Sequence, residues 1–233
     1  MRAPSIWIVG AVALTGAPPV QATDVNLLGV ADGAYSVKVR SFKELVLQRA
    51  FKTTIKQQYD FSCGSAALAT LLTFNYSAPV SEQSVFQFMY ANGNQEKIRQ
   101  VGFSLLDMKL YLESHGYLAD GYEAGLDQLA EAKVPAIVLL QDRGYNHFVV
   151  VKGVQGERVL LGDPAVGSRV MSRAEFEEHW HSKILFVIRN RQAMASFNSL
   201  EDWNYKTKAR LGDAVSRDSL ALVTLMRPTA NQF

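Results

Sequence analysis

Cysteine is almost absent: a single thiol, Cys63, stands in 233 residues. An internal disulfide is therefore excluded, and the thiol is either buried and inert or reactive for a purpose. An excess of charge of one sign is missing as well. With 24 Lys and Arg against 22 Asp and Glu, nothing calls for nucleic acid or a membrane surface as partner. No apolar run approaches the roughly 20 residues that a transmembrane helix needs. The stretch from Ile6 to Leu14 is too short to be a stable anchor. Internal repeats and low-complexity tracts are also lacking, and histidine occurs only four times.

The chain does carry an address at its start. Arg2 is followed by the apolar run Ile6 to Leu14, then Pro18-Pro19 and Val20-Gln21-Ala22, small residues where a signal peptidase reads. No cysteine lies near that point, which excludes a lipoprotein anchor. Residues 1–22 are expected to be a cleaved signal peptide that exports the chain to the periplasm. Cleavage removes Arg2 and no acid, leaving 23 basic against 22 acidic residues. The rest is expected to comprise a lead segment over 23–40, a domain over 41–190 and a C-terminal extension over 191–233, partly helical at Leu211 to Met226.

Within the domain, small residues and leucine from Cys63 to Phe74 predict a helix. Val85, Phe88 and Met89 share one face of a second helix over 81–91. Ser104 with Asp107 forms a capping-box pattern for a third that Gly116 stops, and a short helix is expected over 125–133. The character then changes. Pro135 to Leu140, His147 to Val154 and Arg158 to Leu161 are apolar runs that predict strands buried on both faces. Ser172 with Glu175 caps another helix, and Ile184 to Ile188 is a last strand. Helices first and strands second argue for an α+β fold.

Cys63 sits where a helix begins, and the free N–H groups of such a start stabilise a thiolate. Gly64 beside it is expected to let a substrate backbone approach closely. Taken alone, Cys63 fits a small core residue as well as a nucleophile. His147 interrupts an apolar strand, where an unpaired imidazole is costly. Val154 to Glu157 is a good tight turn. A hairpin centred at residue 155 sets position 147 opposite Asp163, so a carboxylate meets the imidazole. That pair is what a histidine base needs, and equally what a buried core histidine needs. His115 lies on the polar end of a helix. His179 and His181 flank Trp180 with no third ligand in register, so no metal site is expected.

The stretch Lys56-Gln57-Gln58-Tyr59-Asp60-Phe61-Ser62-Cys63-Gly64-Ser65-Ala66-Ala67-Leu68-Ala69 resembles the catalytic start of C39 peptidases. These are papain-like bacteriocin-processing proteases, many of them fused to ABC transporters, that cleave leaders after a double glycine. Their glutamine stands six residues before the cysteine, the offset of Gln57. His147-Phe148-Val149-Val150 resembles the family's histidine strand, and Asp163-Pro164 its aspartate turn. The resemblance spans about residues 50–190. It implies a papain-like fold, with helices of the N-terminal half packed on an antiparallel sheet from the C-terminal half. It also implies a thiol endopeptidase without a cofactor: Cys63 as nucleophile, His147 as base, Asp163 orienting the ring, and Gln57 with the Cys63 N–H as oxyanion donors.

Two features depart from the transporter-borne members. Ser62, not an acid, precedes the cysteine, and these residues include no transporter domain. A stand-alone exported chain of this type is similar to the peptidase-like components of bacterial functional-amyloid export systems. That likeness implies protein substrates, with amyloid subunits or their secretion machinery as partners. Two other readings use the same residues: a catalytically silent docking module that holds an extended substrate, and a thiol acyltransferase of transglutaminase type. The export reading has a direct measurement. N-terminal sequencing of the mature protein is expected to begin at Thr23, and retention of Met1 would remove it.

Overall fold

The computed structural model describes residues 24–26, 36–38, 42–142 and 145–204, so the expected signal peptide and the expected helix over 211–226 lie outside the described residues. The chain divides into two compact units, Met1–Leu45 and Val46–Phe233. In the first, β1 (Asp24–Asn26) pairs antiparallel with β2 (Ser36–Lys38). Helix α1 (Phe42–Ala50) runs across the division.

The second unit carries the helices α2 (Cys63–Thr70), α3 (Glu82–Asn92), α4 (Gln95–Val101) and α5 (Leu105–Ser114), then β3 (Ala119–Glu123) and α6 (Leu126–Ala132). There follow β4 (Ala136–Asp142), β5 (Tyr145–Gln155), β6 (Arg158–Asp163), β7 (Gly167–Ser172), α7 (Arg173–His179), β8 (Ile184–Ile188) and the short α8 (Leu200–Trp203). Six strands form one antiparallel sheet in the order β3-β8-β4-β5-β6-β7. The α+β class expected from the sequence holds: the N-terminal helices lie against a sheet built mainly from later residues.

Both faces of that sheet are covered, which accounts for the uninterrupted apolar runs. Ile137, Phe148, Val150, Phe186 and Ile188 pack with the α2, α3 and α5 side chains. On the opposite face Val138, Leu140, Val149, Val151 and Leu161 pack with Leu126 and Leu129 of α6 and with Phe176 of α7 and Trp180 just beyond it. Each fully buried leucine or valine contributes about 1.5–3 kcal/mol. The capping boxes and caps read from sequence are formed. Ser104 accepts from Asp107 N–H while the Asp107 carboxylate accepts from Ser104 N–H, and Ser172 accepts from Glu175 N–H. Helix α2 differs from the expectation in its end: the last turn, Leu71–Asn75, is a π-helix.

The hairpin register also differs from the expected one. The turn is Gly156-Glu157, with Gln155 opposite Arg158 and Val154 opposite Val159, so the centre lies beyond residue 155. A β-bulge between Val151 and Gly153 then shifts the ladder, and Val151 faces Leu161 while Val150 faces Gly162. Position 147 is therefore not directly opposite 163. Carried one residue further, the pairing sets Asp163 beside Val149, two residues from His147 on the same face of the strand.

Past the expected boundary near residue 190 the chain continues against the same sheet. Ser196 and Asn75 exchange two hydrogen bonds, and Asn198 N–H donates to Lys152 O at 2.9 Å. At the other end of the hairpin, Gly167 opens β7 with φ +91°, and a Cβ there would lie 2.6 Å from the Ala50 carbonyl oxygen. Gly167→Ala is expected to cost about 1–3 kcal/mol through backbone strain and overlap. The check is a urea denaturation whose midpoint falls while its slope stays constant.

Candidate active site

Cys63 is the first residue of α2 and is 5% exposed. The turn before it is closed by Ser62, whose N–H donates to Tyr59 O at 3.1 Å. Its hydroxyl donates to the same carbonyl and accepts from Tyr59 N–H. A serine at this position normally caps the helix, but here the hydroxyl serves the preceding turn and makes no capping bond. The first N–H groups of α2 are thereby left without a side-chain acceptor, beside the thiol. Gly64 does not serve substrate approach, as the sequence had suggested. A Cβ at residue 64 would lie 2.9 Å from Met108, 3.0 Å from Phe103 and 3.6 Å from Phe148. The glycine lets α2 seat against α5 and β5.

His147 and Asp163 meet, as expected. Asp163 Oδ1 accepts from His147 Nε2 at 2.7 Å, and from the N–H groups of Ala165 at 2.9 Å and Val166 at 3.4 Å. Its Oδ2 accepts from Arg169 at 3.0 Å. With Nε2 committed to the carboxylate, Nδ1 is the ring nitrogen left for Cys63, whose proximity favours the charged ring. Burial works against a charged ring, but the bond to Asp163 and the nearby Cys63 outweigh it and raise His147 from 6.5 to about 9. For Asp163, burial pushes upward, yet the imidazole, the Ala165 N–H and Arg169 hold the carboxyl below its usual range. The site thus favours an imidazolium between a carboxylate and a thiol.

A loop from Gln57 to Asp60 borders this arrangement and is tied to it at both ends. Gln57 N–H donates to Pro164 O at 3.0 Å, next to Asp163. Tyr145 Oη donates to Asp60 O at 2.7 Å, and its ring stacks on His147 with centroids 6.3 Å apart. The side chain of Gln57 is turned into its own loop: Nε2 donates to Tyr59 O at 3.0 Å and Asp60 O at 3.4 Å. Its Oε1 is buried and makes no hydrogen bond. So in this conformation the expected oxyanion donor does not direct an N–H at the thiol. Gln58 is exposed. A cavity of about 320 Å³ opens beside the pair, lined by Leu140, Tyr145, His147, Val166, Arg169 and Met171.

Of the other histidines, His115 stacks on Tyr111 with centroids 4.2 Å apart, while His179 lines the same cavity as His147 and its Nδ1 bonds Glu175 O at 2.7 Å. Sequence reasoning missed Arg169, Tyr145 and the bulge residue Lys152. Only the last left a signal, a lysine followed by glycine inside an apolar strand.

A helix-borne thiol facing a carboxylate-held histidine on an antiparallel sheet is the arrangement of papain-like cysteine peptidases. The model of the Peptidase C39 family matches residues 52–192, and the chain belongs to that family. The chain is 48% identical over 143 residues to the probable functional amyloid protease FapD of Pseudomonas aeruginosa, covering 61% of this chain and 63% of that one. Its likeness to FapD of Pseudomonas fluorescens is 43% over 145 residues, covering 62% and 64%. The matches thus span a little under two thirds of these relatives. The lactococcin-G-processing and transport ATP-binding protein LagD of Lactococcus lactis is 27% identical over 138 residues, covering 58% of this chain and 18% of its own length. Among solved structures, the peptidase domain of Streptococcus ComA, a bi-functional ABC transporter, superposes with a TM-score of 0.49 at 20% identity, covering 59% of this chain and 98% of that domain.

The shifted groups set a pH window. His147 is raised, so its share of stability is whole below 6.5 and is lost as pH rises through about 9. Asp163 is lowered, so its share is present above 3.8 and is lost as pH falls. The stability advantage of wild type over Asp163→Asn is therefore expected to peak between pH 3.8 and 6.5 and to shrink, by the His147 share, as pH passes about 9, read from urea midpoints across pH.

Proposed function

We propose that this protein is an exported, periplasmic thiol endopeptidase that processes a secreted protein in the assembly or secretion of a bacterial functional amyloid. The observation that carries the chemistry is the shared imidazole: His147 bonds Asp163 at 2.7 Å, and its charged form is favoured both by that carboxylate and by Cys63 at the start of α2. The similarity to two functional amyloid proteases supports the setting.

In this reading the Cys63 thiolate attacks the scissile carbonyl, and the imidazolium of His147 gives its proton to the leaving amine. Water then enters, His147 takes a proton from it, and the thioester is hydrolysed. Asp163 holds the ring in the tautomer that leaves Nδ1 at the sulfur. The developing oxyanion is met by the Cys63 N–H and by Gln57, whose amide must leave the Tyr59 and Asp60 carbonyls to reach it. Preference for small residues before the cut, such as a Gly-Gly pair, rests on the family resemblance, since Gly64 faces the protein interior.

One observation favours a second reading. The inward turn of the Gln57 amide suits a silent module that docks an extended substrate without cutting it. Mass mapping of exported proteins in cells carrying Cys63→Ala beside wild type separates the two, because only a peptidase leaves uncut precursor behind. With a fluorogenic peptide, Cys63→Ala and His147→Ala are each expected to abolish turnover, and the double variant to cost little more than either. Gln57→Ala is expected to lower kcat by roughly 10²- to 10³-fold while Gln58→Ala stays near wild type. Silence at Gln57 with loss at Gln58 would overturn the oxyanion assignment.

A further inference from the structure

The bond between His147 and Asp163 depends on a parity that the hairpin alone does not supply. With Gln155 opposite Arg158 and Val154 opposite Val159, an unbroken ladder would set Asp163 beside Val150. Successive side chains of a strand point to opposite faces, so Asp163 would then lie on the face away from His147. The extra residue between Val151 and Gly153 shifts the pairing by one and returns Asp163 to the face of His147. That residue is Lys152.

Such a bulge leaves backbone groups without ladder partners and here carries a buried charge. Both are met by the segment beyond the family match. Asn198 N–H donates to Lys152 O at 2.9 Å, and Asn198 Nδ2 donates to Val154 O at 3.1 Å. The Lys152 ammonium is fully buried. It donates to Thr53 O at 2.8 Å and to the Asp202 carboxylate, and lies 5.4 Å from the Phe74 ring centre. Asp202 is held in turn by Ser199 Oγ at 2.7 Å. Gly153 is needed for the fit, because a Cβ there would overlap the side-chain oxygen of Asn198.

We propose that residues 196–204 are a positioning strap: by holding the Lys152 bulge through Asn198 and Asp202, they keep His147 and Asp163 on one face of the sheet. The strap touches neither thiol nor substrate; Ser196 also bonds Asn75 beyond α2, but the effect on His147 runs through the bulge. Its catalytic consequence rests on the peptidase reading; its effect on the histidine does not.

The test uses the full chain with Asp202→Ala, Asn198→Ala and Asp202→Glu, and two readouts. The first is the NMR titration of His147, assigned with His147→Ala. Besides Asp163, the titratable groups against the ring are Cys63 and Tyr145, Glu175 and His179 of α7 line the same cavity, and Arg169 reaches the ring through Asp163. The expected result is a fall of the His147 midpoint from about 9 toward 6.5 in Asp202→Ala, with recovery in Asp202→Glu. The second readout is turnover, where kcat is expected to drop about 10²-fold with KM little changed, the signature of a displaced catalytic group. A folded Asp202→Ala that titrates like wild type overturns the proposal. If that variant loses its near-ultraviolet dichroism, Asn198→Ala decides by the same titration, since it removes the side-chain bonds to Val154 O and from Trp203 Nε1 and leaves the ion pair. A wild-type protein that cuts no peptide defeats the peptidase reading, while the titration still decides the strap.

Discussion

A charged imidazole held in place at the end of a buried strand is the constraint around which the described structure is arranged. His147 gains its charge from Asp163 and Cys63 against the pull of burial. Asp163 must therefore be an anion in a nearly closed site, and four donors keep it one: the imidazole, two backbone N–H groups and Arg169. Around that carboxylate the elements are pinned together. Gln57 hangs from Pro164, Tyr145 reaches Asp60, and β7 opens immediately after the turn.

The scaffold serves this by being covered on both sides. A strand with one wet face could not carry His147 into a low-dielectric setting where its charge is decided by two neighbours instead of by water. The helix α2 brings the thiol from one side of the sheet, while the carboxylate shares a strand face with residues that pack against α6 and α7. The reactive groups thus meet at the strand ends, where the two layers come together, and small residues along α2 permit that close seating.

Much of this was legible in the sequence, for identifiable reasons. The centres of β4, β5, β6 and β8 are apolar runs because both faces are buried, with His147 and Lys152 as polar interruptions in β5, and the helix at Cys63 announces itself by small residues and leucine. The His147–Asp163 pair could be read because it is local to one hairpin. What escaped was weakly patterned or depended on geometry. Strand β3 buries only Ala119, α4 buries only Ile98, and β7 alternates poorly. The hairpin pairing was misplaced because a bulge adds a residue that no turn motif reveals. The surroundings of Gly64 and the amide direction of Gln57 are set by distant contacts at Met108 and by carbonyls of an irregular loop. No spacing rule reaches either.

The solitary thiol has a redox consequence. A cysteine oxidised to sulfenic acid is usually rescued by a neighbouring thiol that condenses with it. Cys63 has no such neighbour, being the only cysteine of the chain. Any recovery must come from an external thiol entering the cleft, and without one further oxidation to the sulfinic acid is irreversible. Its near-complete burial limits oxidant and reductant alike.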